Sequence, residues 1–188
     1  IVSAVRNGID SVDKITILPR SGYVGGYTKI NPDEDIVSSG LVSRKLLLSK
    51  IEIALAGRAA ETIVFGKNEI TQCSINDISY STNIVREMVT KYGFSIIGPL
   101  SLENNSDISF GDGFFRNKSV IADNTYSKID NEIINISKIS LNNAINIIRS
   151  NRVLLEKLVE ILIIQETIEN NNFKKITLDL LKVWFNTI

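Results

Sequence analysis

The 188-residue sequence contains no histidine, and that absence excludes more than any other feature of its composition. Histidine is the usual zinc ligand, the usual general base and the usual activator of a serine or cysteine nucleophile. On their own, these residues run no histidine-dependent chemistry. Cysteine is nearly absent too: a single residue, Cys73, excludes an intrachain disulfide scaffold and allows a reducing compartment. With no histidine to act as its base, Cys73 reads as a small packed residue and not as a reactive thiol. Net charge is lacking as well. Lys plus Arg and Asp plus Glu both number 21, so no general attraction to nucleic acid or to an anionic membrane surface is implied. Long apolar runs are missing: the densest, Leu154 to Ile164, is interrupted by Glu156, Lys157 and Glu160 and falls short of the ~18 uncharged residues of a membrane span.

What remains, 44% hydrophobic and 22% charged residues, is enough for one domain with a substantial core. The best-bounded segment is Thr71 to Gly93, TQCSINDISYSTNIVREMVTKYG. Ser74 followed by Asp77 predicts a capping box, with a helix starting near Ile75 and an acid at its positive end. Ile78, Ser81, Thr82, Val85, Met88, Val89 and Tyr92 recur at three- and four-residue steps as one stripe, and Gly93 supplies the stop.

Upstream, IVSAVRNGI at the start reads as the end of a helix entered in mid-element, followed by a polar turn at Asp10 to Asp13. KITIL at Lys14 to Leu18 alternates like a strand that Pro19 stops. YVGGYTKI at Tyr23 to Ile30 predicts the second strand of a hairpin. That hairpin is either a surface element with flexible glycines or an exposed edge to which a peptide strand adds. Ser43 caps a predicted helix running to about Phe65 and closed by Gly66. Its cluster Ala56, Gly57, Ala59 and Ala60 would let a second helix approach closely, and Arg58 and Glu61 are spaced to pair on its surface.

Phe94 to Asn124 reads as a long irregular loop, and its GDG lacks both the lysine of a phosphate loop and the spacing of a calcium loop. Two helices, Tyr126 to Ser150 and Arg152 to Gln165, are separated by Asn151. They predict an antiparallel hairpin packed on the central helices. After the polar break Glu169 to Asn172, Thr177 is placed to cap a short amphipathic helix, forming an extension over 177–188. The fold class expected is predominantly α-helical with a small β-hairpin or sheet.

Several stretches, in order, resemble the peptidase domain of FtsH-type ATP-dependent zinc metalloproteases, across 1–176. They are KITILPRSG with GGYT, ALAGRAAETIVFG, ITQCSINDISYSTNIVREMVTKYGFS, GPL at Gly98, and NRVLLEKLVEILIIQETI at Asn151 to Ile168. The resemblance implies a zinc ion held by two histidines of an HExxH helix and one aspartate, which maps onto Asp77. Glu61 maps onto an acid near the metal, and Tyr23, Val24, Gly25, Gly26, Tyr27 and Thr28 onto the strand that holds unfolded substrate. The HExxH helix would fall immediately before Ile1, so no catalytic residue is expected within this chain. The family's TTGA is here Thr71, Gln72, Cys73 and Ser74, without a glycine beside the metal.

From the resemblance, ATP enters through an upstream AAA module, membrane attachment through N-terminal segments, and partners as like subunits in a hexameric ring. Its expected place is a plastid thylakoid, another organelle or a bacterial inner membrane. Two functions follow: the proteolytic domain of a membrane-anchored protease that degrades unfolded or damaged proteins, or an inactive pseudopeptidase subunit serving ring assembly. An unrelated helical adaptor would explain the periodicity but not the ordered motifs.

Overall fold

Apolar residues at three- and four-residue spacing build the helices of the computed structural model, and their shared faces make its core. The structure describes residues 1–6, 10–19, 25–32, 38–99, 101 and 123–185. In chain order these form α1 (Val2–Val5), β1 (Asp10–Thr16), β2 (Tyr27–Pro32), α2 (Arg44–Ala54) and α3 (Ala56–Val64). After two 3₁₀ turns, Lys67–Glu69 and Gln72–Ser74, come α4 (Ile75–Thr90), α5 (Asp123–Ser150), α6 (Arg152–Gln165), β3 (Thr167–Glu169) and α7 (Asn170–Phe185). The expected class, mostly helical with a small sheet, is what is found.

The central cluster joins three helices. Ile51 of α2 and Val85 and Met88 of α4 have no exposed surface, and Ile129, Ile133 and Ile136 of α5 close over them. Each such side chain contributes about 1.5 to 3 kcal/mol by leaving water. Ile84 belongs to this face although it lies off the predicted stripe, whereas Tyr92, at its end, is half exposed. Gly93 ends α4 as expected: at φ 63 it lets the Phe94 N–H donate back to the Met88 carbonyl at 2.8 Å. Ser43 also caps as predicted, its hydroxyl accepting from the Leu46 N–H at 3.2 Å.

The helix expected from Ser43 to Phe65 is two, divided at Leu55, whose ψ of −3 departs from the ordinary helical value. The small residues beyond the break do permit close packing, but through Ala59, which is fully buried near Ala144 of α5. Gly57 plays no part in it, since a Cβ built there meets nothing within 4 Å. A buried carboxylate locks the junction. Glu52 accepts from Arg6 Nε at 2.7 Å and from Asn143 Nδ2 at 2.9 Å, tying the end of α1 to α2 and α5. Such a charge is tolerated in the interior because both partners compensate its lost hydration.

The sheet is antiparallel with strand order β2-β1-β3. Thr16 pairs with Tyr27 on one side and with Thr167 on the other. Asp10 to Asp13, expected as a turn, are strand, and Thr167 to Glu169, which lie past the expected helix end at Gln165 and reach into the expected polar break, are the third strand. Once β1 needs a partner on its second edge, hydrogen bonding outweighs local propensity. The reversal into β3 is made at Glu166, a left-handed residue at φ 58 whose carbonyl accepts from the Ile17 N–H and the Thr16 hydroxyl.

The apolar face of α6 turns to this sheet and not to the central helices: Leu154 and Leu158 cluster with Val12, Ile168 and Phe173. Ile163 and Ile164, at the end of α6, are 69% and 80% exposed. Helix α7 begins at Asn170, so Thr177 is not its cap; it lies buried inside, its hydroxyl donating to the Phe173 carbonyl. The loop expected over Phe94 to Asn124, with its GDG, falls largely outside the described residues. Among the described residues no helix is long and apolar enough to cross a membrane.

Candidate functional site

A cleft of about 910 Å³ opens between the β1–β2 hairpin and the helices. One wall is the hairpin. Thr28, Ile30 and Pro32 line the cleft while Lys29 and Asn31 do not, the two-residue alternation of a strand that shows one face to it. Lys29 instead donates to Asp13 Oδ2 at 2.8 Å across the hairpin. Gly26 and Tyr27 carry this wall to its end. A Cβ at Gly26 would lie 2.0 Å from the Thr16 carbonyl oxygen, so only glycine permits the two strands to approach there. Gly25, at φ 114, takes a left-handed conformation beside it. Tyr23 and Val24 lie outside the described residues. Among the described residues β2 pairs only with β1, which makes it an edge strand.

The facing wall is helical. Ile1, Val2 and Ser3 of the α1 region line it together with Ile53 and Ala54 of α2. Beyond the break, Ala56 and Gly57 continue it. Lys50 belongs to the same wall and was not singled out by its sequence; a lysine in step with Ile53 and Ala54, at i+3 and i+4, was the available signal. Asp77 and Tyr80, one turn apart on α4, complete the lining. The cleft therefore brings together Asp77 and the Gly26–Thr28 part of the proposed substrate strand. Partial burial raises the Asp77 carboxyl above the ordinary range for aspartate.

Glu61 is not among the residues that line the cleft. Its carboxylate, expected to pair with Arg58, instead accepts from the Thr71 N–H at 2.7 Å. The Thr71 hydroxyl in turn accepts from the Cys73 N–H at 3.3 Å, so Glu61 fixes the turn that feeds α4 and its Asp77. Within that turn two expectations fail. Cys73 is exposed, because a 3₁₀ turn on the surface carries it. Ser74 does not form the capping box: its backbone, at φ −89 and ψ 16, is already nearly helical and not extended, so the hydroxyl cannot reach forward to an orphan N–H. Among the described residues that buried hydroxyl has no hydrogen-bond partner.

A zinc site needs three protein ligands and an open position, or four ligands. Among the described residues no three His, Cys, Asp or Glu side chains converge to hold a metal ion. Asp77 offers one carboxylate, so these residues do not make a zinc site by themselves.

Residues 1–176 match the model of Peptidase family M41. The chain is 38% identical to "ATP-dependent zinc metalloprotease FtsH" of Trieres chinensis, over 94% of this chain and 27% of that protein. It is 34% identical to FtsH 3 of Synechocystis sp., over 93% of this chain and 28% of the relative. It is 33% identical to the chloroplastic FTSH 8 of Arabidopsis thaliana, over 94% and 25%. The chain thus spans about a quarter of the length of these relatives.

Proposed function

The chain belongs to peptidase family M41 as an FtsH-type peptidase domain, and on that premise we propose that its cleft holds an extended peptide for zinc-dependent cleavage. The observation that carries this reading is the placing of Asp77 and the edge strand β2 along one cleft. A peptide adding to β2 would satisfy the strand's free ladder groups while alternate side chains enter the cleft beside Thr28 and Ile30.

In this reading Asp77 is one zinc ligand, and two histidines from sequence preceding Ile1 supply the others. Zinc would contribute an acidified water and a polarised carbonyl. This chain's own part is to lay the peptide against β2, and to hold the Asp77 segment in place through Glu61 and Thr71. The parent protein is read as an ATP-dependent zinc metalloendopeptidase, anchored in a plastid, other organellar or bacterial membrane. It would act on unfolded or damaged proteins as a hexameric ring. A second reading is supported by Thr71, Gln72, Cys73 and Ser74 standing where the family has TTGA, without a glycine beside the proposed ligand: an inactive subunit that keeps the fold for ring assembly.

The test compares the full-length protein with its Asp77→Asn variant for zinc per chain and for hydrolysis of an unfolded substrate. Expected are one zinc per wild-type chain and at least ~100-fold loss of turnover in the variant, more than an outer-shell partner's loss costs. With zinc removed from both, stability should differ by no more than about 0.5 kcal/mol, since Asp77 keeps most of its surface exposed. A wild type that neither holds zinc nor hydrolyses substrate would establish the inactive-subunit reading.

A further inference from the structure

The cleft is largely apolar, yet it carries a cation that the arrangement of its own helix leaves without an acid. Lys50 is partly buried in the α2 wall, and the positions three and four residues away are Leu46, Leu47, Ile53 and Ala54. None can neutralise it, so the usual helical ion pair is absent. No carboxylate of the described residues lies within ion-pair distance of Lys50. Among the lining residues it is the only basic side chain, and Asp77 the only acidic one.

We propose that Lys50 is a specificity-determining residue that favours an acidic side chain in a peptide held along β2, an inference that rests on the peptide-cleft reading above. The six residues of β2 span ~20 Å, room for five or six residues of a partner strand, of which every second side chain faces into the cleft. An acidic residue at one such position meets the Lys50 ammonium within a largely apolar cleft, where its attraction is stronger than on an open surface. At other inward positions it meets Ile30 or Ile53 and loses hydration without compensation. The preference should therefore be confined to one position in the peptide.

The experiment uses the full-length protein, freed of metal by a chelator so that peptides are held and not cut, and ten-residue extended peptides that are identical except for Glu, Gln or Lys at one of the central positions, with affinity read by fluorescence anisotropy. The expected result is a Kd about 5- to 10-fold lower for Glu than for Gln at a single position, shrinking as salt rises. Lys50→Met, which keeps the aliphatic stem and so the packing, should abolish the difference. Lys50→Arg should keep it, and Lys50→Glu should turn the preference toward Lys peptides. Equal affinity for Glu and Gln peptides in the wild type, or a Glu preference that survives in Lys50→Met, overturns the Lys50 assignment while the peptide cleft stands. Failure of every peptide to bind overturns the cleft reading and the Lys50 assignment together.

Discussion

The central helical cluster and the cleft wall are built on opposite principles. Around Met88 and Val85 the chain is held by apolar side chains that recur along each helix and meet in one water-free body. The hairpin wall has few buried side chains of its own; it is held by backbone pairing to β1 and by one glycine that lets two strands approach. The first arrangement tolerates drift in any one contact. The second depends on backbone positions that no side chain can replace, as would suit the proposed peptide-holding edge.

Breaking the helical side should have the largest effect. Met88→Ala removes a fully buried side chain and leaves a cavity, and should cost about 2 to 5 kcal/mol in chemical denaturation, lowering the stability of the whole chain. Breaking the sheet side should cost less overall but act where the cleft is. Gly26→Ala sets a methyl against the Thr16 carbonyl and should cost about 1 to 3 kcal/mol. Helical circular dichroism at room temperature should be unchanged and peptide affinity lost; retained affinity would show that the wall does not depend on that approach. The comparison is sharpened by Gly57→Ala, in which a poor helix residue is replaced where there is free space. It should raise stability by about 0.4 to 1 kcal/mol. Because the new methyl enters the cleft, any change in peptide affinity reports directly on that wall.

The helical half was legible in the sequence for the same reason that it is robust. Val85, Met88 and Val89 announce their face by spacing alone, and Ser43 and Gly93 mark their ends by local chemistry. What was not legible depends on partners far away in the chain. Thr167 to Glu169 are too short a run to signal a strand and become β3 because β1 has a free edge to fill. Helix α6 turns to the sheet because that strand is there. Glu52 reads as a surface acid until Arg6 and Asn143 are brought to it. Ser74 and Asp77 have the spacing of a capping box, but the preceding 3₁₀ turn sets the backbone of Ser74 before its hydroxyl can act.

The third strand also bears on the order in which the molecule is made. Thr167 donates its hydroxyl to Thr16 across 151 residues, whereas the rest of the hairpin pairs locally. At ribosomal speeds of ~5 to 20 residues per second, β3 follows β1 by roughly 8 to 30 s. A bare two-stranded hairpin is at best marginally stable in water, so over that interval the wall of the cleft lacks its support. The helices α2 to α5 can gather earlier from nearer contacts. The hairpin wall is then completed only after the helices that face it across the cleft have emerged.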